Sequence, residues 1–184
     1  MSEIPSDVLN WLPAVTQVSS PNFDQRPPRT EIALVVLHAI SLPPGEFGGP
    51  YVQQLFTNTL DPKAHPYFAG LKGLKVSAHF FIDRGGRLTQ FVGLQDRAWH
   101  AGESCWAGRT ACNDFSIGIE LEGCDELPFE MLQYASLNRL LGRLQQTFPQ
   151  LDASRIVGHS DIAPGRKTDP GPCFDWRRVC PERE

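Results

Sequence analysis

The sequence is short of most features that mark a specialised chain. It has no basic surplus: 17 lysines and arginines stand against 21 acidic residues, a formal net charge of −4. That argues against nucleic-acid binding, which leaves a basic footprint. No apolar run approaches the ~18 to 20 residues needed to cross a bilayer, so no membrane partner is expected. The N-terminal stretch MSEIPSDVLNWLPAV has neither a basic start nor an unbroken apolar segment. It does not read as a secretory leader, and the chain is expected in the cytoplasm. The cysteines are Cys105, Cys112, Cys124, Cys173 and Cys180, an odd number without C-x-x-C spacing. They read as isolated reduced thiols and not as a zinc ribbon or redox motif. No internal repeat or low-complexity tract is visible.

What remains is an ordinary globular composition, 41% hydrophobic over 184 residues, enough for one domain with a full core. Residues 1–30 are polar and proline-spotted and read as an irregular arm over the domain surface, anchored by Trp11 and Leu12. The domain proper is expected over 31–184. Ile32 to Leu37 is apolar on both faces, as in a buried central strand, and delivers His38 at its end. A short helix is expected over 51–59. A strand over 76–83 should place Val76, Ala78, Phe80 and Ile82 on one face, with 88–92 returning as its hairpin partner. The connection 93–114 is long enough to be functional. Ser116 to Glu122 alternates: Ile117, Ile119 and Leu121 pack one way, while Ser116, Gly118, Glu120 and Glu122 face an open polar space. Pro128 to Phe148 reads as the main helix, with Leu137, Leu140, Leu141, Leu144 and Phe148 toward the sheet; Gly142 would mark close packing. A short strand over 155–158 and a last helical turn over 174–179 complete an α/β domain whose central sheet is covered by helices.

The chemistry gathers in HSDIAPGRKTDPGP, residues 159–172. Its prolines exclude a helix or a central strand, so it reads as a rigid loop holding His159, Lys167 and Asp169. Histidine and aspartate are zinc-type ligands, and one further ligand would leave a fourth position open. His38 is the best candidate. Either Glu120 or Glu122, on the same strand face, could serve as the general base. His79 reads as a buried, hydrogen-bonded residue near the site, and His65 as structural. His100 either lines a cleft or pins its loop.

The segments LVVLHAISLPPGEFGGP from Leu34, DPKAHPYF from Asp61, VSAHFFI from Val76, RAWHAG from Arg97, CNDFSIGIELEG from Cys112 and GHSDIAPGRKTDPGPCFDW from Gly158 together resemble the cytoplasmic N-acetylmuramyl-L-alanine amidases of the AmpD family. The resemblance implies a mixed sheet of five or six strands flanked by helices. It implies one zinc ion per chain on His38, His159 and Asp169, with Glu120 as the acid/base and Lys167 as an electrophilic helper. Lys75 and Trp99 are expected to touch substrate. The implied substrate is a muropeptide, cut between the lactyl group of anhydro-N-acetylmuramic acid and L-alanine in cytoplasmic peptidoglycan recycling, by a monomer. Such cleavage would lower the muropeptide signal that induces β-lactamase. Ala39 and Lys75 depart from the family pattern of Asn and Arg at these places.

Overall fold

The computed structural model describes residues 10–181. Residues 1–9 and 182–184, the outer ends of the expected arm and domain, lie outside that range. The strands, in chain order, are β1 (Thr16–Gln17), β2 (Phe23–Gln25), β3 (Leu34–Ile40), β4 (Phe80–Ile82), β5 (Leu88–Gln90), β6 (Asp96–Ala98), β7 (Cys105–Trp106), β8 (Arg109–Thr110), β9 (Ser116–Glu122) and β10 (Ile156–Gly158). The helices are α1 (Tyr51–Phe56), α2 (Met131–Thr147) and α3 (His159–Ile162), supplemented by short 3-10 turns.

Six strands form one mixed sheet in the order β1-β5-β4-β9-β3-β10. β10, β3, β9 and β4 run parallel, and β5 turns back antiparallel to β4. The fold is therefore α/β with a central mixed six-stranded sheet. The long central strands β3 and β9 pair in register from Leu34–Ser116 to Ile40–Glu122. Because strand side chains alternate faces, Val35, Leu37, Ile117, Ile119 and Leu121 share one face. They pack with Leu137, Leu140, Leu141, Leu144 and Phe148 of α2 and its C-terminal end in the main core. Leu34 and Val36 lie in a separate cluster with Ala101, Cys112, Phe115 and Ile162. A third cluster joins α1 to Phe68, Ala78, Phe91 and Ala98.

Several elements differ from the expected pattern, each for a local reason. α2 starts at Met131 because the Gln133 side chain reaches back to cap it, its Oε1 accepting the Glu130 N–H. Gly142 has open space around it, so close packing is not its role. The strand expected over 76–83 keeps only its last part. Val76 and Ala78 pack in the α1 cluster, whereas Phe80 and Ile82 pack under α2. The Ser77 N–H donates to the Trp99 carbonyl and draws the backbone off the sheet there. Residues 159–162 form a one-turn helix, since the prolines begin only at Pro164 and the Asp161 carboxylate accepts the Gly158 N–H. The segment expected to be irregular carries β1 on the sheet edge and β2 paired with β6.

Candidate metal centre and catalytic cleft

Parallel pairing brings His38, the fifth residue of β3, opposite Glu120 on β9. β10 lies on the other side of β3 and leads directly into His159 at the start of α3. The loop after α3 folds back so that the Ser160 N–H donates to the Asp169 carbonyl. Three separate segments thus converge. His38 Nδ1 and His159 Nδ1 are 3.0 Å apart, and Asp169 Oδ2 is 3.1 Å from each.

This donor set fits a metal ion. Ligands about 2.0 to 2.1 Å from a tetrahedral zinc lie about 3.3 Å from one another, close to the spacing seen. The His159 Nε2 is 3.0 Å from the Ala101 carbonyl. A carbonyl can only accept, so Nε2 carries the proton and Nδ1 presents a lone pair. Burial pulls the His38 imidazole down to about 4, which keeps it neutral, the form that binds metals. Both histidines are buried, Asp169 partly so. Three such atoms within 4.8 Å of one another could hold a cation between them.

Glu120 lies beside this group, 9% exposed. Among the described residues its Oε2 is buried without a hydrogen-bond partner. Burial, and then the Asp169 carboxylate, push its pKa well above the usual range, and Lys167 opposes them. Lys167 itself is exposed, on the rim of the same cleft. The cleft has a volume of about 540 Å³ and is bordered by His38, Glu120, His159, Lys167 and Asp169. Its walls include Trp99, Tyr67, Leu74 and Ala39.

The remaining candidates separate cleanly. Glu122 shares a strand face with Glu120, but its carboxylate accepts the N–H groups of Gly48 and Arg84 and ties two loops together. Lys75 lies on a smaller hollow that shares Leu55, Leu71 and Leu74 with the main cleft. His79 is buried and accepts the Gly118 N–H. His65 accepts the Tyr67 N–H and caps a 3-10 turn. His100 borders the cleft and lies against His38, its Nδ1 2.9 Å from His38 Nε2. Burial and the neighbouring histidines push its pKa well below the usual value.

Four contributors were not singled out from sequence. Asn113 Oδ1 accepts the N–H groups of both His100 and Ala101. Arg166 donates to the Ala101 carbonyl. Asp24 accepts the Trp99 indole N–H, and Arg26 donates to the carbonyls of Asn113, Asp114 and Ser116. Asn113 falls within the CNDF motif, which was its one available signal. Asp24 and Arg26 act across more than fifty residues and carry no local pattern.

Known proteins share this sequence pattern and this fold. The family described as N-acetylmuramoyl-L-alanine amidase matches residues 28–172. A 1,6-anhydro-N-acetylmuramyl-L-alanine amidase AmpD of Haemophilus influenzae is 55% identical over 162 residues, 88% of each chain. A crystal structure of a selenomethionine AmpD derivative superposes with a TM-score of 0.89 at 53% identity, covering 92% of this chain and 94% of that one. AmiD of Escherichia coli, solved with the substrate anhydro-N-acetylmuramic acid-L-Ala-D-gamma-Glu-L-Lys, superposes with a TM-score of 0.60 at 29% identity, covering 84% of this chain and 59% of that one. By sequence and fold together, the chain belongs to the N-acetylmuramoyl-L-alanine amidase family, in its AmpD branch.

Proposed function

We propose that this amidase hydrolyses the bond between the lactyl group of anhydro-N-acetylmuramic acid and L-alanine of the stem peptide, with one zinc ion held by His38, His159 and Asp169. The observation that carries the reading is the convergence of the three candidate ligand atoms within 4.8 Å of one another beside Glu120, whose buried Oε2 has no hydrogen-bond partner among the described residues. The named activities of the AmpD relatives and the muropeptide in the AmiD complex support the substrate. When bound, the ion would lower the pKa of water from ~15.7 toward ~7 and polarise the scissile carbonyl.

The protein's own groups then divide the proton and charge work. Glu120 accepts a proton from the attacking water and returns it to the departing amine nitrogen, as general acid-base catalysis requires. Its raised pKa suits both halves of that task. Lys167, on the cleft rim, offers its ammonium to the oxyanion, a role worth roughly 3 to 4 kcal/mol per donor in other hydrolases. Trp99 in the cleft wall and Lys75 in the adjoining hollow contact the sugar–peptide substrate. In this reading residues 31–184 are the catalytic domain and residues 1–30 an arm packed on it. The protein acts as a cytoplasmic monomer in muropeptide recycling and lowers the muropeptide signal for β-lactamase induction.

The test is product release, by mass spectrometry, from anhydromuramyl-tripeptide incubated with metal-stripped and with zinc-restored protein. Free tripeptide and anhydro-sugar should appear only when zinc is restored. Stoichiometric zinc binding without cleavage would overturn the assignment for this substrate.

A further inference from the structure

A chain of hydrogen bonds leads from the interior to the ligand face of His38, and each link constrains the next. The Cys112 carbonyl can only accept, and Ser116 Oγ lies 2.6 Å from it, so the one hydroxyl proton of Ser116 is committed there. Ser116 Oγ is also 3.1 Å from His100 Nε2, where it can now only accept. His100 Nε2 therefore carries the ring proton, and in a neutral imidazole its Nδ1 is a lone pair. That lone pair faces His38 Nε2 at 2.9 Å. His38 must place its proton on Nε2, which leaves Nδ1 free toward His159 and Asp169.

We infer that His100 and Ser116 are positioning residues that set the tautomer of His38 and aim its Nδ1 at the metal. The surrounding structure holds this relay in place. Asn113 Oδ1 fixes the backbone at His100 by accepting two successive N–H groups. Strand β9 makes room for the ring: a Cβ at Gly118 would lie 2.4 Å from His100 Cγ. With period-two alternation, one face of β9 thus supplies the acceptor at Ser116, the space at Gly118 and the carboxylate at Glu120. Metal-bound histidines commonly depend on such partners, whose loss weakens binding about 10- to 100-fold.

The inference rests on the metal reading above but is tested without substrate. Long-range ¹⁵N–¹H imidazole spectra of the metal-free full chain would show the His38 proton on Nε2. Competition with a chelator would then give zinc affinities for Ser116→Ala, His100→Leu and His100→Gln. The first two should bind zinc about 10- to 100-fold more weakly. His100→Gln should recover most of the loss, since an amide offers an acceptor to His38 and a donor to Ser116. A His38 proton on Nδ1 in the parent would overturn the relay. So would unchanged affinity in the first two variants, or a glutamine variant as weak as the leucine one. A chain that takes up no zinc would sink the metal reading, while the tautomer spectrum would still judge the relay.

Discussion

His38 and Glu120 are register partners across the parallel pair β3–β9. Neighbouring strands are about 4.8 Å apart and aligned residues share a face, so the sheet ladder itself sets the separation of the candidate ligand and the candidate base. Neither depends on a loop for its backbone position. Glu120→Gln keeps the shape of the side chain and removes its proton-accepting capacity. Turnover of anhydromuramyl-tripeptide should fall about 10²- to 10⁴-fold, while zinc content by elemental analysis stays at one per chain. Near-parental turnover would show that another group accepts the proton.

Lys167 should leave a signature in the pH profile. Glu120 must be ionised to accept a proton, so activity falls as pH drops through its pKa. Burial and Asp169 raise that pKa, and the Lys167 charge lowers it. Lys167→Met removes the lowering influence, so the acid limb of kcat/KM should move to higher pH, together with a loss in kcat from the missing oxyanion contact. A reduced kcat with an unmoved acid limb would separate Lys167 from Glu120.

Metal removal should be visible in stability. The contacts among His38, His159 and Asp169 gather three candidate ligand atoms around one point, so the folded state should gain from an ion that the unfolded chain does not hold in this geometry. Free zinc at a thousand times its Kd adds about 4 kcal/mol, which for a chain of this size is roughly 8 to 16 °C in Tm. Calorimetry of stripped and restored protein checks this. Asp169→Asn should lose most of the rise; an equal rise in that variant would place the ion elsewhere.

The candidate site was legible in sequence where local pattern and chemistry coincide. His38 follows the apolar run of β3, which continues two residues further to Ile40, and His159 and Asp169 bracket a proline-rich stretch whose few degrees of freedom suit metal ligands. Alternation put Glu120 on the polar face of β9, but it put Glu122 there as well. Only the N–H groups of Gly48 and Arg84, from distant loops, distinguish the tied carboxylate from the unpartnered one. The open space expected before that face is largely filled, because all seven residues of β9 are buried and His100 packs on Gly118. β1 and β2 were not foreseen, being two and three residues long and without buried side chains. Strands this short are created by their partners β5 and β6, and period-two patterning has nothing to register.

Asp24 illustrates such a distant partner, and its effect should be confined to substrate affinity. Its Oδ1 accepts the Trp99 indole N–H at 3.2 Å and the Arg97 Nε–H at 2.6 Å. The Trp99 backbone is held separately, its N–H donating to Ser77 Oγ. Asp24→Ala should therefore free the indole in the cleft wall without disturbing Glu120, Lys167 or the ligand residues, and Arg97 retains Asp114. The substitution also removes both Arg97 bonds to Asp24, but only the indole bond bears on the cleft; its loss, about 0.5 to 1.5 kcal/mol, corresponds to roughly a two- to ten-fold rise in KM, with kcat unchanged. Asp24→Asn keeps an acceptor for the indole and should stay near the parent. Steady-state kinetics on anhydromuramyl-tripeptide separates the outcomes: parental kinetics in Asp24→Ala would remove Trp99 from the substrate's path, and a matching fall in kcat would give the indole a part in turnover.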